Sequence, residues 1–187
     1  MRDIDLTGRL KKKMGTRPRV RGRYNSSELY FVNNGMTTPE QWINPSDKSV
    51  KEILTMWNGI GMHNQLEDLL GKEHSEKKVE YSYKGIILVG KVDYLPPDLP
   101  DEVWEFKTSE KKMTSSKPWH DHQVKLYCTM FEKDHGLVYQ PLRDTDGIYL
   151  KHLKTVDRDD VWFNTEMEKL YQFHLKLEEL WERKAKN

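Results

Sequence analysis

The 187-residue sequence predicts an α/β domain in which a central mixed sheet is flanked by helices. Three observations support this fold class. Apolar residues recur at helical spacing in segments near the middle and at the end of the chain. Shorter segments of alternating or continuous apolar residues, which are typical of strands, lie between them. The resulting order is helix, strands, helix, strand, helix, which favours one sheet covered by helices.

The first long helix is predicted to begin at a capping box and to end at a glycine. Ser49 is followed three residues later by Glu52, the pattern in which two side chains satisfy free N–H groups at a helix start. Gly71 is a plausible end. The apolar residues between them recur every three or four positions and predict a face turned to the core: Val50, Ile53, Leu54, Trp57 and Ile60.

Strand patterns follow this helix. Residues 78–84 alternate, and residues 86–89 form an apolar run that leads to Asp93. The proline-rich segment 96–101 can only be a loop, because its three prolines lack N–H donors and have a fixed φ. Residues 103–107 resume as a strand, so the two runs joined by this loop predict a β-hairpin.

A second helix is expected from Ser116 and Pro118 to a stop at Gly136. Residues 137–150 are expected to hold one or two strands. Residues 161–186 form a long closing helix with a leucine-rich stripe.

Charge is distributed unevenly along the chain. Residues 1–23 hold nine basic and two acidic residues, a net +7, while the remaining 164 residues hold 22 basic and 28 acidic, a net −6. We therefore divide the chain into a basic arm, residues 1–25, and a single domain, residues 26–187. The arm suggests a polyanionic partner, although a solubilising terminus would have the same composition.

Several classes of protein are excluded or disfavoured. The single cysteine, Cys128, rules out an intramolecular disulfide and any site that needs four cysteines. No apolar run approaches the roughly 18–20 residues of a membrane-spanning helix, and residues 1–25 contain no apolar run typical of a signal peptide. We therefore expect a cytoplasmic protein without a membrane partner.

The predicted hairpin carries the first chemically informative residues. Glu105 and Lys107 share one face of their strand because side chains alternate. If the two strands pair, Asp93 lies within a few ångströms of Glu105. Two adjacent carboxylates repel unless a cation lies between them, and oxygen ligands suit Mg²⁺ or Mn²⁺. The alternative is a solvated strand face whose carboxylates point apart.

Two helical positions complete the candidate set. His63 lies at the edge of the first helix's apolar face, shortly after glycines at 59 and 61 and one turn before Glu67. Gln123 and Tyr127 are four residues apart on the second helix and share a face. A hydrogen-bonded structural histidine and an ordinary helix surface are the alternatives.

In this order the motifs resemble the RecB-like branch of the PD-(D/E)XK nuclease superfamily. The matching residues span about 50–135: Gly59-x-x-x-His63-x-x-x-Glu67, Gly90-x-x-Asp93, Glu105-x-Lys107 and Gln123-x-x-x-Tyr127. The resemblance implies a restriction-endonuclease-like core. Many CRISPR-associated relatives also hold an iron–sulfur cluster, which a chain with one cysteine cannot build.

The resemblance also assigns roles. It implies that His63, Asp93, Glu105 and the Phe106 carbonyl bind Mg²⁺ or Mn²⁺, with catalysis by Asp93, Glu105 and Lys107. Glu67 and Thr108 would contact the ligand residues without binding the metal themselves. The expected nucleic-acid contacts are Gln123, Tyr127, His120, Lys111, Lys112, Arg19, Arg21 and Arg23.

We therefore expect a metal-dependent DNA exonuclease that acts from ends and accepts single strands. A separate helicase or recombination partner is possible, because the chain has no Gly-x-x-x-x-Gly-Lys-Ser/Thr motif. Three alternatives stay open: a catalytically silent nucleic-acid-binding or scaffold module, a structure-specific endonuclease, and an enzyme acting on RNA.

Overall fold

The computed structural model describes residues 19–109, 111–145 and 147–186. Within these ranges the helices are α1 (Ser26–Asn33), α2 (Pro39–Ile43), α3 (Val50–Leu70), α4 (Pro118–Met130) and α5 (Asp160–Lys186), with a 3₁₀ turn at Lys72–His74. The strands are β1 (Arg23–Asn25), β2 (Ser75–Tyr83), β3 (Ile86–Tyr94), β4 (Glu102–Phe106), β5 (His135–Arg143) and β6 (Ile148–Asp157). None of the described helices combines the length and apolar composition needed to cross a membrane.

The six strands form one mixed sheet in the order β1-β3-β4-β5-β6, with β2 antiparallel to β3 along its length. Strand β3 also pairs in parallel with β1 and, at a single position, antiparallel with β4. Helix α4 connects β4 to its parallel neighbour β5, and β5 forms an antiparallel pair with β6. The predicted fold class, a central mixed sheet flanked by helices, is therefore confirmed.

The sheet has a large core on one face and a small one near β4. The large core contains buried residues of α1, α2, α4 and α5 together with Leu88, Val103 and Val138 of the sheet. The small core joins Leu66 of α3 to Tyr94 and Phe106. Alternation along β4 explains the separation, because Val103 and Phe106 point to opposite faces.

Helix α3 differs from the sequence prediction in what its apolar face contacts. The predicted capping box is present, with Ser49 and Glu52 bonding to each other's backbone N–H, and the helix ends before Gly71. Of the apolar stripe, however, only Ile53 is buried. The prediction that the whole stripe faces the core is wrong, because helical periodicity defines a face without determining whether another element covers it.

Helix α4 ends earlier than predicted. It stops at Met130, and Glu132 adopts a left-handed φ of 55° that turns the chain away from the helix. Gly136, expected as the stop, lies instead within β5. A Cβ at Gly136 would lie 2.2 Å from Val124 Cγ1 and 2.9 Å from Cys128 Sγ, so the absence of a side chain allows α4 to pack directly on the strand.

The end of the predicted basic arm is part of the folded structure. Residues 23–25, which we assigned to the arm, form β1 and pair with β3 of the domain. The preceding arginines form ion pairs with the body, Arg19 with Glu28 on α1 and Arg21 with Glu178 on α5. Arg23 pairs with Glu80 on β2. The part of the arm before residue 19 lies outside the described residues.

Helix α5 is joined to the other helices through one buried carboxylate, Glu166. Its Oε2 accepts a hydrogen bond of 2.7 Å from Asn33 on α1 and lies 2.8 Å from His122 Nε2 on α4. Lys169 Nζ donates to Oε1 at 2.6 Å. Burial by itself raises the pKa of Glu166, but the bonds from His122, Asn33 and Lys169 outweigh it and lower the pKa to about 2.

We predict that Gly136→Ala destabilises the fold by about 1–3 kcal/mol, because the added methyl overlaps Val124 and Cys128 in a packed core. Gly61→Ala is the matched control, because a Cβ at this position meets nothing within 4 Å. Since alanine favours a helix more than glycine does, this substitution should stabilise the protein slightly. Urea unfolding followed by circular dichroism should show opposite signs for the two variants. Equal stability of Gly136→Ala and the parent would contradict the close packing of α4 on β5.

We further predict that Glu166 contributes stability that is lost in acid. Its folded pKa of about 2 lies below the ordinary value of 4.5, so its contribution is present above pH 4.5 and disappears as the pH falls toward 2. Glu166→Gln should lower the free energy of unfolding at pH 7 and flatten its fall between pH 4.5 and 2. Glu179→Gln, at an exposed position on the same helix, should leave the parent's pH dependence in place; identical profiles for both variants would contradict the assignment.

Candidate active site

The predicted site residues lie where β3 and β4 separate. The two strands share one paired position, Tyr94 with Trp104, and the next residues in this register are Asp93 and Glu105. Beyond this point the strands no longer pair, and a cleft lies between α3, the end of β4 and the start of α4. Both carboxylates are buried, with 9% and 3% of their surface exposed, and they contact the cleft residues His63 and Lys107.

Asp93 is fixed through both of its oxygens. Its Oδ2 accepts a hydrogen bond of 2.7 Å from the Phe106 backbone N–H, and its Oδ1 lies 3.2 Å from His63 Nδ1. Strand β4 and helix α3 therefore hold this carboxylate from two sides. Burial lowers the pKa of His63, but the hydrogen bond and charge of Asp93 outweigh it, so the net pKa is raised.

Glu105 uses only one of its two oxygens. Its Oε1 accepts a hydrogen bond of 2.5 Å from Lys107 Nζ, whereas Oε2 is buried without a hydrogen-bond partner among the described residues. Burial first, and then the negative charge of Asp93, raise the pKa of Glu105 to about 7. An unpaired buried oxygen is costly, so this position favours an additional positive ligand.

A chain of hydrogen bonds extends from Lys107 into the body. Lys107 Nζ donates to Gln123 Oε1 at 2.9 Å, and Gln123 Nε2 donates to Tyr127 Oη at 2.7 Å. The Tyr127 hydroxyl accepts from Ser26 Oγ and donates to the carbonyl of Lys91 at 2.9 Å. Since each partner fixes the orientation of the next, Lys107 is held with two N–H groups occupied and the third without a partner among the described residues.

The cleft has a volume of about 420 Å³ and two chemically different walls. Helix α3 contributes Met56, Ile60 and His63, and the segment after β4 contributes Lys107 and Thr108. His120, at the start of α4, also lines it. Burial, followed by the charges of Lys107 and Lys117, lowers the pKa of His120 to about 4, so the ring is neutral at pH 7.

The two glycines just before His63, Gly59 and Gly61, have different environments. A Cβ on Gly59 would lie 3.0 Å from Thr108 Oγ1, so this glycine allows α3 to lie close to the end of β4. Gly61 faces open space. Close packing therefore accounts for the glycine at 59 but not for the one at 61.

The donor set fits a divalent cation in its chemistry. Asp93 and Glu105 offer oxygens, one of them unpartnered, and His63 offers an imidazole whose Nε2 has no hydrogen-bond partner among the described residues. Such mixed oxygen and nitrogen ligands suit Mg²⁺ or Mn²⁺. Across the described residues, however, no three His, Cys, Asp or Glu side chains converge as they stand. The residues thus supply ligands without already forming a closed metal site.

The remaining predicted residues fall into three groups. Glu67 is half-buried one turn beyond His63 and forms no hydrogen bond with a site residue in the described part of the chain. Tyr127 is 1% exposed, so the expectation that it contacts nucleic acid directly is not supported. Arg19, Arg21 and Arg23 point to the acidic partners given above and not to the cleft.

Lys111 and Lys112 are exposed on the segment after β4, and sequence reasoning missed what holds this segment. Gln140 on β5 is fully buried; its Nε2 donates to the Lys111 carbonyl at 2.9 Å and its Oε1 accepts from the Met113 N–H at 2.7 Å. In the sequence, the only sign of this role is a glutamine among the mostly apolar residues 136–142. Nothing in the sequence indicates that Ser26 donates a hydrogen bond to Tyr127.

No known protein family and no curated protein sequence matches the chain. Solved structures do match. An alkaline exonuclease from Laribacter hongkongensis, LHK-Exo, superposes with a TM-score of 0.59 at 15% identity, covering 88% of this chain and 94% of the other. The same exonuclease in complex with dAMP gives 0.58 at 15% identity over 89% and 95%.

A phage-related exonuclease from Haemophilus somnus 129PT gives a TM-score of 0.54 at 12% identity, covering 86% of this chain and 96% of the other. At these identities the likeness concerns the fold, and it extends over nearly the whole of each molecule. The chain therefore has the α/β fold of these exonucleases, a central mixed sheet flanked by helices.

Proposed function

We propose that the protein is a divalent-metal-dependent nuclease that hydrolyses phosphodiester bonds in DNA. The observation that carries this proposal is the meeting of Asp93, Glu105 and Lys107 next to a cleft that Lys107 and His63 line, with Glu105 Oε2 buried and without a partner among the described residues. Two carboxylates and an ammonium group are expensive to bury, and such clusters are characteristic of functional sites. The fold shared with exonucleases supports the same assignment.

The metal would be held by Asp93, Glu105, His63 and the Phe106 carbonyl. When bound, a divalent cation lowers the pKa of a coordinated water and stabilises negative charge on the phosphate. The hydrogen bond from the Phe106 N–H and the contact with His63 keep Asp93 oriented toward this position. Glu105 presents Oε2 because Lys107 already occupies Oε1.

Lys107 would act on the substrate through its third N–H. Its other two protons are directed to Glu105 and Gln123, so the remaining donor can bind the attacking water or a phosphate oxygen in the cleft. A fixed ammonium stabilises the charge that develops at the phosphate without reorganising during the reaction. Gln123 and Tyr127 are positioning residues in this scheme, because they contact Lys107 and each other and not the substrate.

We propose exonuclease action on DNA ends with single strands accepted. The dAMP complex of LHK-Exo shows that a protein of this fold binds a deoxynucleotide. Lys111 and Lys112, exposed beside the cleft, would bind phosphates without reading sequence. A helicase or recombination partner fits the same proposal, since the chain carries no motor motif.

Lys107→Ala and Glu105→Gln should each lower the rate of DNA hydrolysis by about 10²-fold or more, the usual effect of removing one electrostatic contact to the transition state. Lys176→Ala, which removes an exposed lysine on α5 away from the cleft, should cleave like the parent. The measurement is release of acid-soluble nucleotides from labelled linear DNA, with circular dichroism to check folding.

Parental rates in both site variants would contradict the assignment. Absence of cleavage by the folded parent, with DNA binding retained, would favour the scaffold alternative. Cleavage of closed circular DNA as fast as linear DNA would favour an endonuclease, and faster hydrolysis of RNA than of DNA would change the substrate.

Removal of divalent cations with EDTA should abolish cleavage, and adding back Mg²⁺ or Mn²⁺ should restore it. Because His63 would contribute a nitrogen ligand, we expect activity with Mn²⁺ at least equal to that with Mg²⁺. His63→Ala should raise the Mn²⁺ concentration needed for half-maximal rate. Clearly superior activity with Mg²⁺, or cleavage that persists in EDTA, would contradict these ligand assignments.

A further inference from the structure

Helix α3 exposes an apolar face that no described element covers. We define the α3 apolar face by its exposed members: Val50, Leu54, Met56, Trp57 and Ile60. Trp57 is 56% exposed and Ile60 is 48% exposed. A contiguous group of large apolar side chains at the surface generally marks a place where another molecule binds.

The α3 apolar face continues into the cleft. Met56 and Ile60 belong both to this face and to the cleft lining, where they meet His63 and Phe106. Trp57 lies one turn before Gly61 on the outer side of the helix. A molecule seated on the proposed catalytic residues can therefore extend over α3 without leaving protein surface.

The opposite wall of the cleft is cationic. Lys107 lines it directly and pairs with the buried Glu105, and the exposed Lys117 lies beside the lining residue His120, whose Nδ1 accepts from the Lys117 N–H at 3.4 Å. Glu76 also lines the cleft, but its carboxylate is paired with Lys91 at 2.5 Å. The cleft thus has Lys107 and the neighbouring Lys117 on one side and apolar side chains on the other.

We propose that the α3 apolar face binds the unpaired bases of a single-stranded nucleic acid whose phosphates follow the cationic wall. This inference rests on the proposed nuclease function and names how its substrate is held. A single strand has a charged edge and flat apolar bases, which matches the two walls. In a duplex the same bases are stacked inside and cannot reach Trp57.

A second copy of the chain is the weaker candidate for this face. A standard interface between proteins buries about 800 Å² per partner. The face consists of five side chains that are each about half exposed. Even if every one had the roughly 250 Å² of the largest aromatic residues, its exposed half would bring the total to less than about 800 Å². The face is therefore large enough for two or three bases but small for a stable dimer.

The test is binding of a fluorescent oligothymidylate in EDTA, measured by anisotropy, so that no cleavage is needed. Trp57→Ala should weaken binding about tenfold, the effect of losing one base–aromatic stack. Trp57→Phe should restore most of the affinity, and Leu69→Ala, at an exposed position on the same helix away from the cleft, should bind like the parent. A blunt duplex should show less than a twofold difference between parent and Trp57→Ala.

Equal affinity of Trp57→Ala and parent for the single strand would overturn the inference. So would a parental dimer, seen by sedimentation, that Leu54→Asp converts to monomer, because the face would then be a self-association surface. The same variants are assayed for cleavage with Mg²⁺. If the parent cleaves DNA and Trp57→Ala binds the single strand as tightly as the parent, only this inference is overturned. If the parent does not cleave but Trp57→Ala binds more weakly, the nuclease proposal is overturned and the base-binding face stands.

Discussion

The burial of the Glu105 carboxylate beside Asp93 is the constraint on which the site depends. Two carboxylates placed this deep require compensating positive charge, and Lys107 provides it through Glu105 Oε1. Lys107 can do so only if its long side chain is held, which Gln123 achieves from α4. The position of α4 in turn depends on its direct contact with β5. One electrostatic requirement at the end of β4 therefore determines how a strand, a helix and the neighbouring strand must fit together.

The two faces of β4 explain why the cleft has its particular composition. Val103 and Glu105 point toward α4, so that side receives the buried charge and its hydrogen-bond network. Phe106 points toward α3 and packs with Leu66 and Tyr94. Because the site lies where these two environments meet, basic and apolar side chains line the same cleft. The two faces of β4 and the helices packed on them therefore produce a surface that suits a molecule with one charged edge and one apolar edge.

Much of the fold could be predicted from the sequence, but the packing of several elements could not. The capping box at Ser49 and the alternation at 103–107 locate α3 and β4, because these signals depend on nearest neighbours along the chain. The exposure of Trp57 depends on which element lies above it, and periodicity carries no information about that. The pairing of Arg21 with Glu178 joins residues 157 positions apart, so a count of charge in the arm could not reveal it. The approach of Asp93 to Glu105 was predictable only because a short loop joins their strands.

Helix α3 links the two parts of the proposed function. His63 on its inner side contacts Asp93, while Trp57 lies nearly two turns earlier on its outer side. Ile53 and Leu66 are its buried anchors, one toward each end. Six residues at a rise of about 1.5 Å place Trp57 and His63 about 9 Å apart along the helix axis. Under the two proposals, one helix would therefore contact both the carboxylate that holds the metal and the bases of the bound strand.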